Sequence, residues 1–470
     1  MIKLLKGILL IIFLTGWFPL AYSNDKIIKI PTPPRPAGNT DLIGFSVAPI
    51  DTVRVGFVGL GMRGADAVER FTYVPGSKIE AICDLVPERV DSSISYLKRR
   101  NIELPATYSG EEDSWKALCE NPNVDLVYVA TDWQHHVPIA LYAMQNGKHV
   151  AIEVPSAFTL EDIWALVDTA ETNRLHCTIL ENCVYDDFEL NTLNMAQIGL
   201  FGEILHTEGS YIHNLEPFWD RYYNNWRLDY NSKHRGDLYP THGAGPALQL
   251  LDIHRGDKMN TLVSMDTKVA GVPLWLSKQG REVPADFKNG DHTMTMIRTE
   301  NGKTIHIQHD VVNPRPYSRM YQLTGTNGFA NKYPIEGYAF DAEQLAEDSI
   351  PDHENLSYHK FVTDEQKKSL LEKYQHPILK EIGPKAKEVG GHGGMDYIMD
   401  YRLIYCLNNG LPLDMDVYDL AEWCAITPLS EISIENGSAP VEVPDFTRGA
   451  WNKVKGYRHA GVEGEAPISQ

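Results

Sequence analysis

The chain has 470 residues, 43% hydrophobic and 23% charged, with a formal net charge of −20 at pH 7. That length exceeds what one hydrophobic core usually serves, so two domains are expected. So acidic a balance argues against nucleic acid or an anionic membrane surface as partner and favours a neutral or cationic small molecule.

Residues 1–23 carry Lys3 and Lys6, then an apolar run beginning at Gly7, and end Ala21-Tyr-Ser23. This order fits a cleavable signal peptide whose apolar run is short for a bilayer span, although Trp17 and Phe18 lengthen it and leave an uncleaved anchor as the alternative. No arginine pair precedes the run and no cysteine follows it. Export to the periplasm, without membrane attachment after cleavage, is the expectation. Residues 24–50 contain Pro31-Thr-Pro-Pro-Arg-Pro36 and read as an extended arm on the surface or on a neighbouring subunit, consistent with a homo-oligomer.

Residues 51–185 read as a dinucleotide-binding domain. Val53 to Val58 is a short β-rich apolar run, followed by Gly59-Leu-Gly61-Met62-Arg63-Gly64, a G-x-G-x-x-G turn into a helix-compatible stretch. Gly59 permits the tight turn, Gly61 admits a pyrophosphate to the backbone, and Gly64 lets the helix approach the strand. The next apolar run ends in Asp84, twenty residues after Gly64, where a carboxylate accepts from ribose hydroxyls and repels a 2′-phosphate. NAD is therefore expected rather than NADP. Further apolar runs at 124–130, 148–153 and 177–180 alternate with helical stretches at 87–99, 137–146 and 160–172. Such alternation implies right-handed βαβ units and a parallel sheet, with ligands beyond the carboxyl ends of its strands. Asp84, residues 131–136, Glu153 with Val154, and residues 181–185 all fall at such ends.

From 186 to 450 the pattern changes to one helix at 188–198 and then strands at 203–211, 261–269, 293–298, 304–309 and 320–324. Residues 349–388 read as partly helical, 390–394 as a flexible turn, and 395–408 and 417–432 as helices, before a polar tail at 451–470. The fold class expected is α/β: an N-terminal doubly wound Rossmann sheet, then an α+β domain with a large, mainly antiparallel sheet. The six cysteines are dispersed without C-x-x-C spacing, so few or no disulfides are expected. Asp252-Ile-His254 and His306-Ile-Gln-His309 lack a clear third ligand, and no metal site is expected.

Several blocks carry a more specific likeness. Gly59 to Gly64, Glu153-Val-Pro155, Glu181-Asn182-Cys-Val-Tyr185, Asn225-Trp-Arg227, Tyr239-Pro240-Thr241-His242-Gly-Ala-Gly-Pro246, His254-Arg-Gly-Asp257, Arg315-Pro-Tyr317-Ser-Arg319 and Gly391-His-Gly-Gly-Met-Asp396 resemble, in order, motifs of glycoside hydrolase family 109. That family is typified by bacterial α-N-acetylgalactosaminidases and is similar in fold to the Gfo/Idh/MocA sugar oxidoreductases. The resemblance implies hydrolysis with NAD⁺ as a recycled cofactor: transient oxidation at C3, loss of the C2 proton, elimination, water addition at C1 and return of the hydride, with net retention. It implies catalytic roles for Tyr185 (C2 proton), His242 (water or leaving oxygen) and Glu153 (the groups around C3). It places Met62, Arg63, Asp84, Trp133, Gln134, His135, His136, Glu153, Val154, Asn182 and Tyr239 around the cofactor. It places Tyr211, Arg227, Tyr239, Pro240, Thr241, His242 and Tyr317 around a small-molecule glycoside. Spacing alone does not separate Tyr317 from Tyr321.

One position discriminates within the fold. Gfo/Idh/MocA dehydrogenases carry Glu-Lys-Pro where this chain has Glu153-Val154-Pro155. Valine transfers no proton, which favours the hydrolase reading over a sugar or inositol dehydrogenase. A catalytically silent sugar-binding protein that retains NAD is the third reading.

Overall fold

The computed structural model describes residues 27–284, 286–346 and 350–462, so the signal segment lies outside the described residues. The first sheet is built from β1 (Val53–Val58), β2 (Ser77–Asp84), β3 (Ala106–Ser109), β4 (Leu126–Val129), β5 (His149–Ile152) and β6 (Cys177–Ile179). Its order is β3-β2-β1-β4-β5-β6 and every pairing is parallel. The crossovers are helices α1 (Met62–Phe71), α2 (Pro87–Arg99), α3 (Ser114–Glu120), α4 (Trp133–Gln145) and α5 (Leu160–Asn173). Strands β4, β5 and β6 are buried at every residue, as a sheet covered on both faces requires. Strand β3 and helix α3 were not foreseen. β3 is a mostly exposed edge strand, Ala-Thr-Tyr-Ser, without the apolar run that marks its neighbours.

Beyond β6 a 3₁₀ turn, Asn182–Tyr185, leads into α6 (Asp187–Gln197). The second sheet follows: β7 (Ile204–Ile212), β8 (Met259–Asp266), β9 (Thr293–Thr299), β10 (Thr304–Asp310), β11 (Gln322–Gly325), β12 (Phe329–Asn331), β13 (Gly337–Ala339) and β14 (Val441–Glu442). Their order is β13-β12-β11-β7-β10-β9-β8-β14, antiparallel except where β7 runs parallel to β10. Residues alternate strictly between buried and exposed along β9. One face of this sheet therefore meets the interior while Met294 and Met296 stand on the other. Helices α7 (Trp226–Lys233), α8 (Thr241–Gln249) and α9 (Gly271–Lys278) interrupt the strand series. Helices α10 (Asp364–Tyr374), α11 (Pro377–Val389), α12 (Met395–Asn409) and α13 (Val417–Glu435) complete the chain. Among the described residues no helix is long and apolar enough to cross a membrane.

Helix α13 joins the two halves. It packs on α5 and β6 of the first sheet and on β8 of the second. Nearly every side of it is buried, Trp423 and Leu429 completely. A helix apolar all round belongs in such a core, and Asp416 starts it with a capping box to Asp419. The proline-rich arm lies along its own chain: Ile28 bridges Val441, and Arg35 pairs with the buried carboxylate of Glu171. The tail is also docked, since the Tyr457 hydroxyl donates to the Asp414 carbonyl. All six cysteines are buried and free.

Candidate active site

The carboxyl ends of the parallel strands form a cavity of about 440 Å³ whose lining includes Gly59, Gly61, Met62, Arg63, Asp84 and His135. Two of the glycines are fixed by packing. Gly59 has φ +91°, and a Cβ there would lie 2.6 Å from the Ala130 carbonyl oxygen; a Cβ on Gly64 would lie 1.7 Å from the Gly59 oxygen. Gly61 differs, because a Cβ there would meet only Arg89 Nη1, at 3.9 Å. Its missing side chain leaves open space in front of the first turn of α1, whose N-cap is Gly61 itself with no side-chain cap. Unpaired N–H groups facing an open cradle fit the pyrophosphate of a dinucleotide. Asp84 is buried at the end of β2, where its carboxylate accepts from the amides of Leu60 (2.6 Å) and Val86 (2.8 Å). These bonds aim it into the cavity where a ribose would lie. The donor set therefore fits NAD.

Arg63, which lines this cavity, is bonded to Glu153 at the end of β5. Glu153 Oε1 accepts from Arg63 Nε at 3.1 Å, and its Oε2 accepts from the Val154 amide at 3.2 Å. The guanidinium of Arg63 turns its other nitrogens to Asp396, at 3.1 and 3.3 Å, and to His392. Asp396 also accepts from Asn182 Nδ2 at 2.6 Å. Burial would raise the Asp396 carboxyl, but His392, Arg63 and Arg70 hold it well below the ordinary range. The Gly391 to Asp396 turn of the second domain is thus tied by charge to the glycine turn of the first.

A second wall comes from β7, α7 and α8. His242, in the first turn of α8, places Nδ1 2.7 Å from Glu181 Oε1, and Glu181 is fully buried at the end of β6. Burial would raise the Glu181 carboxyl, but the bond to His242 holds it below the usual range. Tyr239 stacks on Tyr211, with ring centroids 4.3 Å apart, and lies 4.9 Å edge-on to His242. The guanidinium of Arg227 is packed among Tyr239, Trp133 and Tyr211 at 4.8, 5.0 and 5.7 Å, and Nη1 donates to the Tyr222 hydroxyl. Burial drives His213 down to about 4, with help from the charge of Arg227. The Tyr211 hydroxyl reaches His213 Nδ1 at 3.1 Å.

Of the two rival tyrosines, Tyr317 is 41% exposed with its ring 5.1 Å from His213. Tyr321 is buried in the satellite core under β11 and gives its hydroxyl to the Glu189 carbonyl.

Other residues singled out in the sequence do not reach the crevice. The Tyr185 ring is only 2% exposed, and its hydroxyl donates to Asp414 Oδ2, which Arg402 clamps with two 2.7 Å bonds. The last residue of the 3₁₀ turn points back under β6, with its phenol bonded to a buried ion pair. His136 is likewise internal, spanning the carbonyls of Thr131 and Pro155, so it fixes two strand-end loops and offers no contact outside them. Thr241 is fully buried, Trp133 is buried against Arg227, Pro240 is the N-cap residue of α8, and Gln134 is exposed on α4. The sequence reading missed Glu181, His213, Tyr222, His392 and Asp396. Glu181, His392 and Asp396 stood inside quoted blocks, but nothing in their spacing showed that they pair with His242 or Arg63.

Comparison with known proteins gives the family and the fold. Residues 53–180 match the model of the oxidoreductase family, NAD-binding Rossmann fold, and residues 185–453 match that of the glycosyl hydrolase 109 C-terminal domain. The chain is 64% identical over 433 residues to glycosyl hydrolase family 109 protein 1 of Phocaeicola vulgatus, covering 92% of each. It is 58% identical to the protein of that name in Bacteroides thetaiotaomicron, over 98% of this chain and 99% of the relative. Among solved structures, a levoglucosan dehydrogenase in complex with NADH and L-sorbose superposes with a TM-score of 0.61 at 18% identity, over 84% of this chain and all of that one. At that identity the likeness shows the fold.

Proposed function

The chain belongs to glycosyl hydrolase family 109 and carries an NAD-binding oxidoreductase fold, and we propose that it is an NAD-dependent glycosidase releasing terminal α-N-acetylgalactosamine with net retention. The observation that supports this reading is the 2.7 Å His242–Glu181 pair, which we assign as a proton-transfer dyad, together with the valine at position 154. Dehydrogenases of this fold use a lysine at the position of Val154 to take the proton of the hydroxyl they oxidise; valine takes none, so that step falls here to the neighbouring Glu153.

NAD⁺, when bound, would supply a reversible hydride acceptor for the sugar. The residues of the chain do the rest. Gly59, Gly61 and Asp84 hold the dinucleotide, and Met62 and Arg63 flank it. Glu153, oriented by Arg63 and the Val154 amide, takes the proton of the C3 hydroxyl. His242 takes the acidified C2 proton in the position first assigned to Tyr185, and then serves the departing oxygen and the incoming water. A carboxylate only accepts, so Nδ1 is assigned the proton shared with Glu181 and Nε2 is the free base. Tyr211, Arg227, Tyr239 and Tyr317 make the sugar pocket, with Arg227 held for an acetamido or hydroxyl oxygen. Residues 1–23 support export to the periplasm.

The test is release of a chromophore from an aryl α-N-acetylgalactosaminide without added oxidant. No turnover on any hexosaminide or hexoside sinks the reading. Steady accumulation of NADH with a free sugar would replace it with a dehydrogenase.

A further inference from the structure

Among the described residues, two groups of three metal-type donors lie close enough to share one ion: Glu181 with Cys183 and His242, and His254 with Asp416 and Asp419. The second group is already committed. Asp419 grips Arg255 through two bonds of 2.7 and 3.0 Å, and Asp416 caps α13 through the amides of Tyr418 and Asp419. The first group has no such commitments. One carboxylate oxygen of Glu181 meets the His242 ring and the Cys183 amide, and the Cys183 thiol meets the Asn182 amide oxygen at 3.4 Å and the Glu181 carboxylate within the group.

We propose that Glu181, Cys183 and His242 form a binding site for a soft divalent cation, with zinc as the type, and that occupancy switches the hydrolase off. The donor atoms all lie within 4.8 Å of one another. Zinc holds oxygen and nitrogen at about 2.0–2.2 Å and sulfur at about 2.3 Å, so small side-chain rotations close the set. The set is a carboxylate, an imidazole and a thiol, which zinc favours over magnesium or calcium. Thiolate and carboxylate together carry two negative charges, which balance the ion.

Binding releases the thiol proton to solvent and shifts the His242 ring proton from Nδ1 to Nε2, with no oxidation or reduction, so Nε2 is no longer a free base. Two of the donors are buried and the His242 side chain is 14% exposed, so the ion enters from the crevice and keeps its fourth position toward it. With the ion on Nδ1 and the proton on Nε2, His242 can no longer accept the C2 proton. The cation site stands on the geometry alone, while its inhibitory effect rests on the glycosidase reading.

The experiment titrates the purified chain with Co²⁺ and follows thiolate-to-cobalt charge-transfer absorption, then displaces the cobalt with Zn²⁺. We expect one equivalent of cobalt with a thiolate band, loss of that band in Cys183→Ser, and retention in Cys119→Ser. If Cys183→Ser does not fold, His242→Gln replaces it, with at least tenfold weaker cobalt binding expected. No band in the wild-type protein, or a band unchanged in the variant that folds, overturns the site. In the same samples Zn²⁺ should lower glycoside turnover, and turnover unaffected at saturating Zn²⁺ overturns the switch. Cobalt binding without any turnover contradicts the glycosidase reading and leaves the site standing.

Discussion

Glu181 Oε1 accepts from the His242 ring at 2.7 Å and from the amide of Cys183 at 3.0 Å. The carboxylate is thereby fixed to the turn that ends the first sheet, while the imidazole stands on the first turn of α8 in the second domain. Catalysis in this account depends on that junction. His242→Gln should lower kcat by about 10²–10⁴-fold, the usual worth of a positioned acid/base group. Glu181→Gln keeps an acceptor for Nδ1 but removes the charge that stabilises an imidazolium, so a loss of roughly 10–100-fold in kcat with little change in KM is expected. Steady-state kinetics on an aryl glycoside check both. Equal activity in Glu181→Gln and wild type would remove the dyad from the mechanism.

Two glycines of the turn, Gly61 and Gly64, should separate. Gly64→Ala drives a Cβ into the Gly59 carbonyl and should destabilise the fold by about 2 kcal/mol or more. Gly61→Ala meets no protein atom closer than 3.9 Å and should leave the thermal midpoint of the cofactor-free protein nearly unchanged while weakening NAD binding at least tenfold. Thermal melts with and without NAD read both effects. Equal NAD affinity in Gly61→Ala and wild type would contradict the assignment of the pyrophosphate to that cradle.

Tyr185→Phe discriminates between a catalytic and a structural tyrosine. With its hydroxyl bonded to Asp414 inside the protein, the variant should lose about 1–2 kcal/mol of stability and keep turnover within a few-fold. A hundredfold fall in kcat with an unchanged melting curve would restore Tyr185 to the reaction.

The sequence carried the frame of this molecule further than its chemistry. Buried parallel strands announce themselves as apolar runs, and β1, β2, β4, β5 and β6 were all legible. The exposed edge strand β3 was not, since Ala106 to Ser109 bury little. Helix α8 was hidden in the sequence because Thr-His-Gly-Ala-Gly-Pro has poor helix propensity; it forms where close approach is needed, with Gly243 packed so tightly on β7 that a Cβ would lie 2.3 Å from the Ser210 amide. Rossmann topology brought Asp84, Glu153 and residues 181–185 to one edge, as strand-end reasoning anticipated. Side-chain direction did not follow from topology: within the single 3₁₀ turn Asn182 faces Asp396 and Tyr185 faces Asp414. Contacts across domains, such as Arg63 to Asp396 and Glu181 to His242, leave no local signature.

Asp237 supplies a pH test beside the site. It is fully buried two residues before Tyr239, and burial lifts its carboxyl to about 7, against the one amide bond it accepts from Tyr239. The folded value lies above the unfolded one near 4, so the unfolded chain binds fewer protons between those limits and this group costs stability as pH rises from about 4 to 7. Above pH 7 the cost is complete and constant, on the order of a few kcal/mol. Asp237→Asn lacks that dependence, so its melting temperature relative to wild type should rise between pH 5 and pH 8. A difference that stays flat across that range would show that Asp237 is ionised in the folded protein throughout.

The most direct test of the central claim is the fate of hydrogen at C2 of the released sugar. Hydrolysis of an aryl α-N-acetylgalactosaminide in deuterated water, without added oxidant, should give N-acetylgalactosamine carrying deuterium at C2 and no net NADH. Product with only protium at C2, formed at the same rate, would contradict an NAD-dependent elimination and leave direct displacement at C1 in its place.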